Sequence, residues 1–423
     1  MPKPARAASD RQALTVIVSV QLAISLGFFA VMAHLVAHLR HDLGLLAGTI
    51  TLVLGVRIAV QYGLLLPVGA VADVIGPARA GALACAVRAA GFALLGAAGG
   101  LTELLGAAVL LGAGGALFHP AAQSLLAGVA PTGRARGFAA YVAAGQVAAV
   151  AGPPAGLALL AGGFGTLAGA AAAAWAVAAL LFLLLPHRSA AARPAGVLDG
   201  AATAARDRTF LRFAVAAAPS TLLADQVMTV VPLKDVGSGA TTVFLCVVAA
   251  VASAVQPWCA AHGRAGRPWV LRAGLLCSGA GYLVLMAVPA GGGPMVVLLA
   301  AAALNGLGNG LTQPAVFQAI ARYAPAHRFG AYFGVLGFLA GAVTVAGGLA
   351  VGRLFDAGST GAAAALAGLA LVAVASAAAT RTPAARSEAV DPGRASDVET
   401  CPLTRAGPAG HAPGGARRAR SGQ

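Results

Sequence analysis

Apolar segments long enough to cross a membrane follow one another along almost the whole of this 423-residue chain. A spanning helix needs about 20 mostly apolar residues and satisfies its backbone polar groups internally. By this measure the sequence predicts twelve spans, at 14–38, 45–71, 80–99, 102–126, 137–160, 164–185, 210–233, 240–261, 269–289, 295–321, 329–351 and 361–379. The predicted fold class is therefore an all-α integral membrane protein.

The composition excludes a soluble globular protein. Hydrophobic residues make up 59% of the chain and charged residues only 10%, whereas a soluble domain is about 25% charged. The net charge of +15 would suit a nucleic-acid-binding protein, but the basic residues lie in short loops and tails between apolar segments rather than on one folded face. We therefore expect a lipid bilayer as the partner of this surface, and no nucleic acid.

Basic residues are concentrated on one side of the predicted spans. The loops of the other side hold only Arg40, Lys234 and Arg353. Because cytoplasmic loops of membrane proteins are enriched in Lys and Arg, this bias predicts that both termini are cytoplasmic. We expect a multi-pass protein of the bacterial plasma membrane.

Part of the chain occurs twice, which predicts two similar halves. Residues 112–134 align with residues 306–328 without a gap, at an offset of 194 residues. The informative identities are Leu117/Leu311, Pro120/Pro314, Pro131/Pro325 and Arg134/Arg328. Two similar apolar halves predict a secondary transporter with its substrate site between them.

The spans thus form two pseudo-symmetric bundles of six transmembrane helices. A polar stretch without an apolar period separates the bundles, and the residues after 380 have a composition that predicts disorder. The predicted parts are a cytoplasmic N-terminus, a first bundle, a cytoplasmic linker, a second bundle and a disordered cytoplasmic tail, at 1–12, 13–186, 187–209, 210–380 and 381–423.

Two charged residues lie in the middle of predicted spans, where a charge is costly and usually functional. Arg57 lies in the second span with Gln61 one turn later, and Asp225 lies in the seventh span with Thr229 four residues on. We interpret Arg57, Gln61 and Thr229 as substrate-cavity residues and Asp225 as a candidate for proton coupling. The alternatives are that Arg57 only joins helices, and that Asp225 is its structural partner or lies near the outer rim.

Two further arginines, Arg88 and Arg272, fall within spans three and nine. An arginine side chain has an aliphatic stem that can lie along apolar surface while the guanidinium reaches the headgroup region. We therefore expect both residues to snorkel to the membrane interface.

Histidines supply further candidates for proton coupling, because the imidazole pKa of about 6.5 lies within the working pH range. His34 lies near the outer end of the first span, and His119 lies in the fourth span one turn before Gln123. We interpret His34 and His119 as proton-coupling candidates and Gln123 as a cavity residue. The alternative for His119 is a neutral imidazole that serves helix packing alone.

Polar stripes mark two other spans as cavity-facing. In the tenth span Asn305, Asn309 and Gln313 follow one another at intervals of four residues, and amides on one face are expected to face a cavity or another helix rather than lipid. The first span carries a similar stripe, at Gln21, Ser25, Phe28 and Met32. Aromatic and methionine side chains among amides predict a surface that accepts varied apolar ligands.

These features together resemble the major facilitator superfamily, and more narrowly its bacterial multidrug drug:proton antiporters. The stretch G-A-V-A-D-V-I-G-P-A-R is similar to the superfamily signature G-x-x-x-D-x-x-G-x-x-R, with matches at Gly69, Asp73 and Gly76. Val74 stands where a basic residue is usual, and the later basic residue is displaced to Arg79. The resemblance implies that this loop gates the cytoplasmic side, with Asp73 facing a helix N-terminus.

A second resemblance lies in the fifth span. Its sequence G-P-P-A-G is similar to the antiporter signature at Gly152, Pro153 and Gly156, with Leu157 in place of a further glycine. Proline removes a helical hydrogen bond and glycine lets a neighbouring helix approach, so we expect a moving part, the alternative being a static kink. Four further stretches resemble one multidrug-efflux branch, namely L-G-F-F, V-R-I-A-V-Q, L-F-H-P-A and Q-V-M-T-V-V-P-L in the first, second, fourth and seventh spans. That branch often has an acidic residue where His119 stands, which implies proton carriage by His119, Asp225 or both.

The resemblance implies a secondary transporter that exports small, largely apolar or amphipathic compounds by alternating access. We expect a monomer that uses protons and the proton gradient, with no cofactor and no bound metal, because the five cysteines lack ligand spacing. The alternatives are a proton-coupled metabolite importer on the same fold and a non-transporting membrane sensor. The sequence holds no catalytic motif, so we do not expect an enzyme.

Overall fold

The computed structural model describes residues 4–65, 75–127, 131–184, 197–289, 291–324 and 329–380. These residues form fourteen α-helices, and no strand occurs among them. The helices are α1 (Pro4–Ala37), α2 (Ala47–Gly63), α3 (Pro77–Ala97), α4 (Leu101–Ala127), α5 (Pro131–Leu159), α6 (Phe164–Leu183), α7 (Val197–Arg206), α8 (Arg208–Ala217), α9 (Pro219–Leu233), α10 (Ser238–Ala260), α11 (Pro268–Met286), α12 (Met295–Tyr323), α13 (Phe329–Asp356) and α14 (Ser359–Ala379).

The prediction of an all-α membrane protein is confirmed. Within the described ranges, eleven helical segments are long and apolar enough to cross a membrane, and α2 is a shorter apolar helix. The predicted second span runs to residue 71 and so extends beyond the residues described for α2. The predicted seventh span is made of α8 and α9, because Pro219 has no backbone N–H with which to continue the helical ladder.

The stretch predicted as a polar linker contains a helix. Its residues 197–206 form α7, which packs against α13 with Ala204 fully buried. The carboxylate of Asp207 then caps α8 by accepting from the backbone N–H groups of Thr209 and Phe210, each at 3.0 Å. Four alanines favour the helix α7 and the cap starts the helix α8, so part of the predicted linker is helical.

Glycines of the sequence repeat place the fourth helix of each half in the same way. A Cβ atom added to Gly112 in α4 would lie 2.5 Å from the carbonyl oxygen of Arg57 in α2, and one added to Gly306 in α12 would lie 2.8 Å from that of Val248 in α10. The repeat therefore encodes a close helix crossing in both halves, because only a missing side chain lets the backbones approach this closely.

A second pair of glycines repeats the arrangement against the third helix of each half. Added Cβ atoms would lie 3.2 Å from the backbone nitrogen of Arg88 for Gly114, and 2.9 Å from that of Ser278 for Gly308. These contacts make Arg57 and Arg88 in the first half the counterparts of Val248 and Ser278 in the second. The backbone architecture is thus shared, whereas the charged side chains are not.

The two halves meet along α1 with α9, α2 with α13, and α5 with α10. Each half has its own aromatic core, with Trp175 and Phe92 fully buried in the first half and Phe210 and Tyr282 in the second. The pairing of helices across the boundary leaves a space between the halves.

Candidate functional site

A cavity of about 580 Å³, called here the central cavity, lies between the halves. All six helices of the first half contribute to its wall, together with α9, α12 and α13 of the second. Its volume falls within the range of about 300–1,000 Å³ that is usual for small-molecule sites. The residues of the sequence-based site that line it are Gln21, Ser25, Phe28, Met32, Arg57, Gln61, Asp225, Thr229 and Gln313.

An ion pair joins the two halves across the central cavity. Nη2 of Arg57 in α2 lies 3.8 Å from Oδ1 of Asp225 in α9, with the arginine side chain 13% and the carboxylate side chain 31% exposed. Nη1 of Arg57 also donates to Oε1 of Gln61, one turn along, at 3.3 Å. The structure therefore places the two charges that the sequence singled out against each other.

Arg88 does not snorkel to the interface, and that expectation is wrong. Its side chain is only 6% exposed and lines the central cavity. The guanidinium carbon lies 4.7 Å from the ring centre of Trp175 and 5.4 Å from that of Phe28. The stem can point inwards because Gly114 and Gly115 in α4 leave room beside it.

Arg272 behaves differently from Arg88 although both lie within spans. Its Nε and Nη2 atoms donate to the carbonyl oxygen of Thr380 at 3.2 and 2.9 Å, at the C-terminal end of α14. A guanidinium at that position satisfies carbonyls that the helix end leaves without a partner. Arg272 is therefore a structural residue outside the central cavity.

Only one member of the predicted amide stripe in α12 reaches the central cavity. Gln313 lines it, whereas Asn305 is fully buried, donates to the carbonyl oxygen of Ala301 at 2.9 Å and packs against Gly281 of α11. Asn309 is partly buried outside the cavity wall. The assignment of both asparagines to the cavity is wrong, whereas Asn305 does face another helix, as the alternative had it. Residues four apart on a 3.6-residue helix drift by about 40° per step, so the stripe winds away from the cavity.

His34 also lies outside the central cavity, which removes the reason for counting it as a proton-coupling candidate. The imidazole is 1% exposed, and its Nε2–H donates to the carbonyl oxygen of Pro153 at 3.0 Å. Gly156 lies beside it, so the contact belongs to the close packing of α1 against α5. A buried histidine that donates to a carbonyl beside a proline supports helix packing.

Several of the predicted site residues are described only in part, among them the proton-coupling candidate His119, the cavity residue Gln123 and the gating residues of the loop after α2. The side chains of His119 and Gln123, and the whole of Gly69 and Asp73, lie outside the described part of the chain. Gly76 has φ of 84° at the start of α3, a conformation that suits glycine, and Arg79 is exposed in the first turn.

The G-P-P-A-G segment is part of a continuous helix that packs closely on α1. A Cβ atom added to Gly152 would lie 2.6 Å from Cβ of Phe29, and one added to Gly156 would lie 2.5 Å from the carbonyl oxygen of Ala30. The helix α5 runs through Pro153 and Pro154 to Leu159. The segment therefore joins two helices of the same half.

The aromatic residues of the cavity wall that were missed in the sequence include Tyr62, Tyr141 and Trp175. The chain has only three tryptophans and five tyrosines, and Trp175 stands alone in a run of alanines in α6. A bulky aromatic residue in a segment of otherwise small residues is a signal that could have marked the cavity wall.

Comparison with known proteins gives one matching family. The model of the Major Facilitator Superfamily matches residues 17–261. An uncharacterized MFS-type transporter of Mycobacterium tuberculosis is 28% identical over 355 residues, which are 80% of this chain and 84% of that protein. The multidrug resistance protein MdtH of Cronobacter sakazakii is 31% identical over 354 residues, 79% of this chain and 84% of that protein.

Solved structures share the fold. A crystal structure of a peptide transporter POT superposes with a TM-score of 0.72 at 17% identity, covering 86% of this chain and 92% of that one. A bacterial homolog to the human lysosomal transporter Spinster, in an inward-facing and occupied conformation, superposes with a TM-score of 0.68 at 14% identity, covering 90% and 98%. At these identities the likeness concerns the arrangement of the helices.

Proposed function

The chain belongs to the major facilitator superfamily, and we propose that this transporter exports small amphipathic compounds across the bacterial plasma membrane in exchange for protons. The observation that carries the proposal is the pair of Arg57 and Asp225, 3.8 Å apart in a cavity between the two halves. A proton-coupled transporter that alternates between two states needs a group whose protonation changes the preference between those states.

The pair provides such a group because its two members belong to different halves. Protonation of Asp225 removes the charge that faces Arg57, and the attraction between α2 and α9 is lost. An unpaired buried charge costs several kcal/mol, so this step changes which arrangement of the halves is more stable. Substrate and proton would therefore act on the same pair.

Two further observations support export rather than import. The relative in Cronobacter sakazakii is named a multidrug resistance protein and is similar over 79% of this chain. The wall of the central cavity is also largely apolar and adaptable, with Phe28, Phe29, Met32 and Met228 among its residues. Few charged groups line it, as suits amphipathic compounds rather than sugars.

Replacement of the carboxylate tests the coupling. In proteoliposomes with an imposed pH gradient, we expect Asp225→Asn to lose gradient-driven movement of the transported compound, by about tenfold or more, while movement down the compound's own gradient persists. The amide keeps the size of the side chain but cannot carry the proton. Glu103→Gln is the matched control, because Glu103 is an exposed carboxylate in the first turn of α4.

The compounds for this assay are found by a screen of anionic, neutral and cationic fluorescent amphiphiles. Inverted vesicles, in which the cytoplasmic face is outside, give the direction: export appears as accumulation inside the vesicle. Undiminished gradient-driven transport by Asp225→Asn would remove Asp225 from the coupling, and accumulation only in right-side-out vesicles would favour the importer.

A further inference from the structure

The central cavity carries an excess of positive charge. Its charged residues, among the side chains that the structure describes, are Arg57, Arg88 and Asp225. Asp225 faces Arg57, whereas Arg88 has neither an ion pair nor a hydrogen bond to any described residue, and its guanidinium lies against the rings of Phe28 and Trp175. With Asp225 ionised, these three groups sum to one positive charge, and arginine cannot relieve it by losing its proton.

The fold does not require the arginine at this position. The close contacts of Gly114 with Arg88 and of Gly308 with Ser278 make the two residues structural counterparts. The second half builds the same crossing of its third and fourth helices with a buried serine. The equivalent helix pair of the second half has no such charge. The charge of Arg88 therefore departs from the shared architecture, as expected of a residue that binds a ligand.

Hydrogen-bond donors around Arg88 are also left without partners. The buried Nε of Arg88, the Nε1 of Trp175 and the hydroxyl of Tyr141 have no hydrogen-bond partner among the described atoms, and all three residues line the central cavity. Each of the three side chains is more than nine-tenths buried. Two of these atoms can only donate, so the complementary ligand group is an acceptor.

Stacking on the rings does not replace such a group. Interaction of a guanidinium with aromatic faces recovers less free energy than burial of the charge costs. A carboxylate would supply both the missing charge and the acceptor atoms, because a guanidinium binds the two carboxylate oxygens through parallel N–H bonds.

We propose that the central cavity selects amphipathic organic anions, with Arg88 binding a single carboxylate and the apolar wall holding an aromatic body. One negative charge balances the one excess positive charge. The wall that receives the body is formed by Phe28, Met32 and Met228. This inference rests on the proposed transport function and names the substrate class of the same cavity.

Three probes with one fluorophore and different charges test the selectivity. Dansylglycine is an anion at pH 7, dansylamide is neutral and dansylcadaverine is a cation. Binding to the purified full-length protein in lipid nanodiscs is measured by dansyl fluorescence. We expect dansylglycine to bind about tenfold or more tightly than either of the other probes.

Substitution of Arg88 locates the selectivity. We expect Arg88→Gln to lose the preference for dansylglycine, and Arg88→Lys to keep part of it. Arg272→Gln is the matched control, since it removes a span arginine outside the central cavity, and it should keep the wild-type preference. Gly115→Ala moves the guanidinium without removing a charge, because the new Cβ would lie 2.5 Å from Nη2 of Arg88 and 2.9 Å from Oε1 of Gln61. It should lower the preference for dansylglycine, and the Arg88 variants assign the effect to the guanidinium.

The inference is overturned if dansylcadaverine or dansylamide binds as tightly as dansylglycine, if no probe binds the wild-type protein, or if Arg88→Gln and Gly115→Ala both keep the wild-type preference. The ratio of the affinities of the wild-type protein for the three probes tests the inference even if Arg88→Gln does not fold. Selective binding of dansylglycine without gradient-driven transport would contradict the proposed function instead. Gradient-driven transport of dansylcadaverine alone would contradict only the selectivity.

Discussion

Individual glycine residues, which have no side chain, determine how closely the helices within each half approach each other. Gly112 is one example, since an added Cβ would lie 2.5 Å from the carbonyl oxygen of Arg57, a backbone atom that cannot move aside. We expect Gly112→Ala to destabilise the protein by about 1–3 kcal/mol through overpacking. The measurement is the midpoint temperature of thermal unfolding of the purified protein in detergent, which should be lower than in the wild type.

Gly368 provides the matched control for that prediction. It lies in α14, and a Cβ there would meet no atom within 4 Å. Gly368→Ala should leave the midpoint unchanged or slightly raised, because alanine has the higher helix propensity. Equal effects of the two substitutions would show that the crossing of α4 and α2 tolerates a methyl group.

At the scale of elements, the helix α2 is capped by a residue of the other half. Its N-cap position is Leu46, which offers no side-chain acceptor, and the carboxylate of Asp356 at the end of α13 accepts from the N–H groups of Ala47 and Gly48 at 2.7 and 2.8 Å. Arg40 lies 3.9 Å from the same carboxylate. A helix N-terminus attracts a negative charge, so this contact holds the two halves together at one end of the molecule.

Removal of this cap should favour separation of the halves at that end. A cap is worth about 1 kcal/mol, so Asp356→Ala is expected to raise the separated population about fivefold. Spin labels at Leu46 and Ser359, in a background without the chain's own cysteines, report the distance across this end by pulsed electron paramagnetic resonance.

A carboxylate at the same end supplies the control for the cap. Asp42 bonds His38 within its own segment, at 2.6 Å. Asp42→Ala should leave the distance distribution as in the wild type. An unchanged distribution in Asp356→Ala would show that other contacts hold this end closed.

At the scale of the whole molecule, the halves must separate and rejoin if the protein works by alternating access. Gln146 of α5 donates to Gln256 of α10 at 3.1 Å and accepts from Ser253 of the same helix at 2.8 Å. We expect a short thiol cross-linker between Gln146→Cys and Ser253→Cys to abolish transport, because it joins the halves. Proteoliposome transport before and after cross-linking is the measurement.

A cross-link inside one half is the control for that experiment. Arg272 and Thr380 contact each other within the second half. Cross-linking of Arg272→Cys with Thr380→Cys should leave transport at the level measured before the reagent was added. Full transport by the cross-linked pair between α5 and α10 would contradict rocking of the halves about this contact.

Much of the fold could be predicted because membrane helices are specified locally. Each span satisfies its own backbone hydrogen bonds, so the length of an apolar segment is enough to reveal it. The sequence showed that the glycines repeat, but their role in the close helix crossings could be recognised only from the packing of the helices. The helix α7 was missed because it is only ten residues long and rich in alanine, whose small side chain gives a weak apolar signal.

The site could be predicted only where it depends on one helix. Arg57 and Gln61, one turn apart on α2, bond as the spacing indicates. Arg88 could not be placed, since the direction of its side chain depends on Gly114 and Gly115 of another helix. Asn305 was misplaced because the drift of a four-residue spacing matters only once the neighbouring helices are known.

The amino-acid sequence alone specified a membrane protein of two similar helical halves, with Arg57 and Asp225 as the charges inside it. The lipid environment imposes the helical architecture, because each segment must satisfy its own backbone hydrogen bonds without help from distant residues. Only the tertiary structure decided that Asp225 faces Arg57, that Arg88 adds an unpaired charge to the same cavity, and that His34 stays outside it. Contacts between side chains that are far apart in the chain depend on how the helices pack. The pattern of residues within one segment does not specify such contacts.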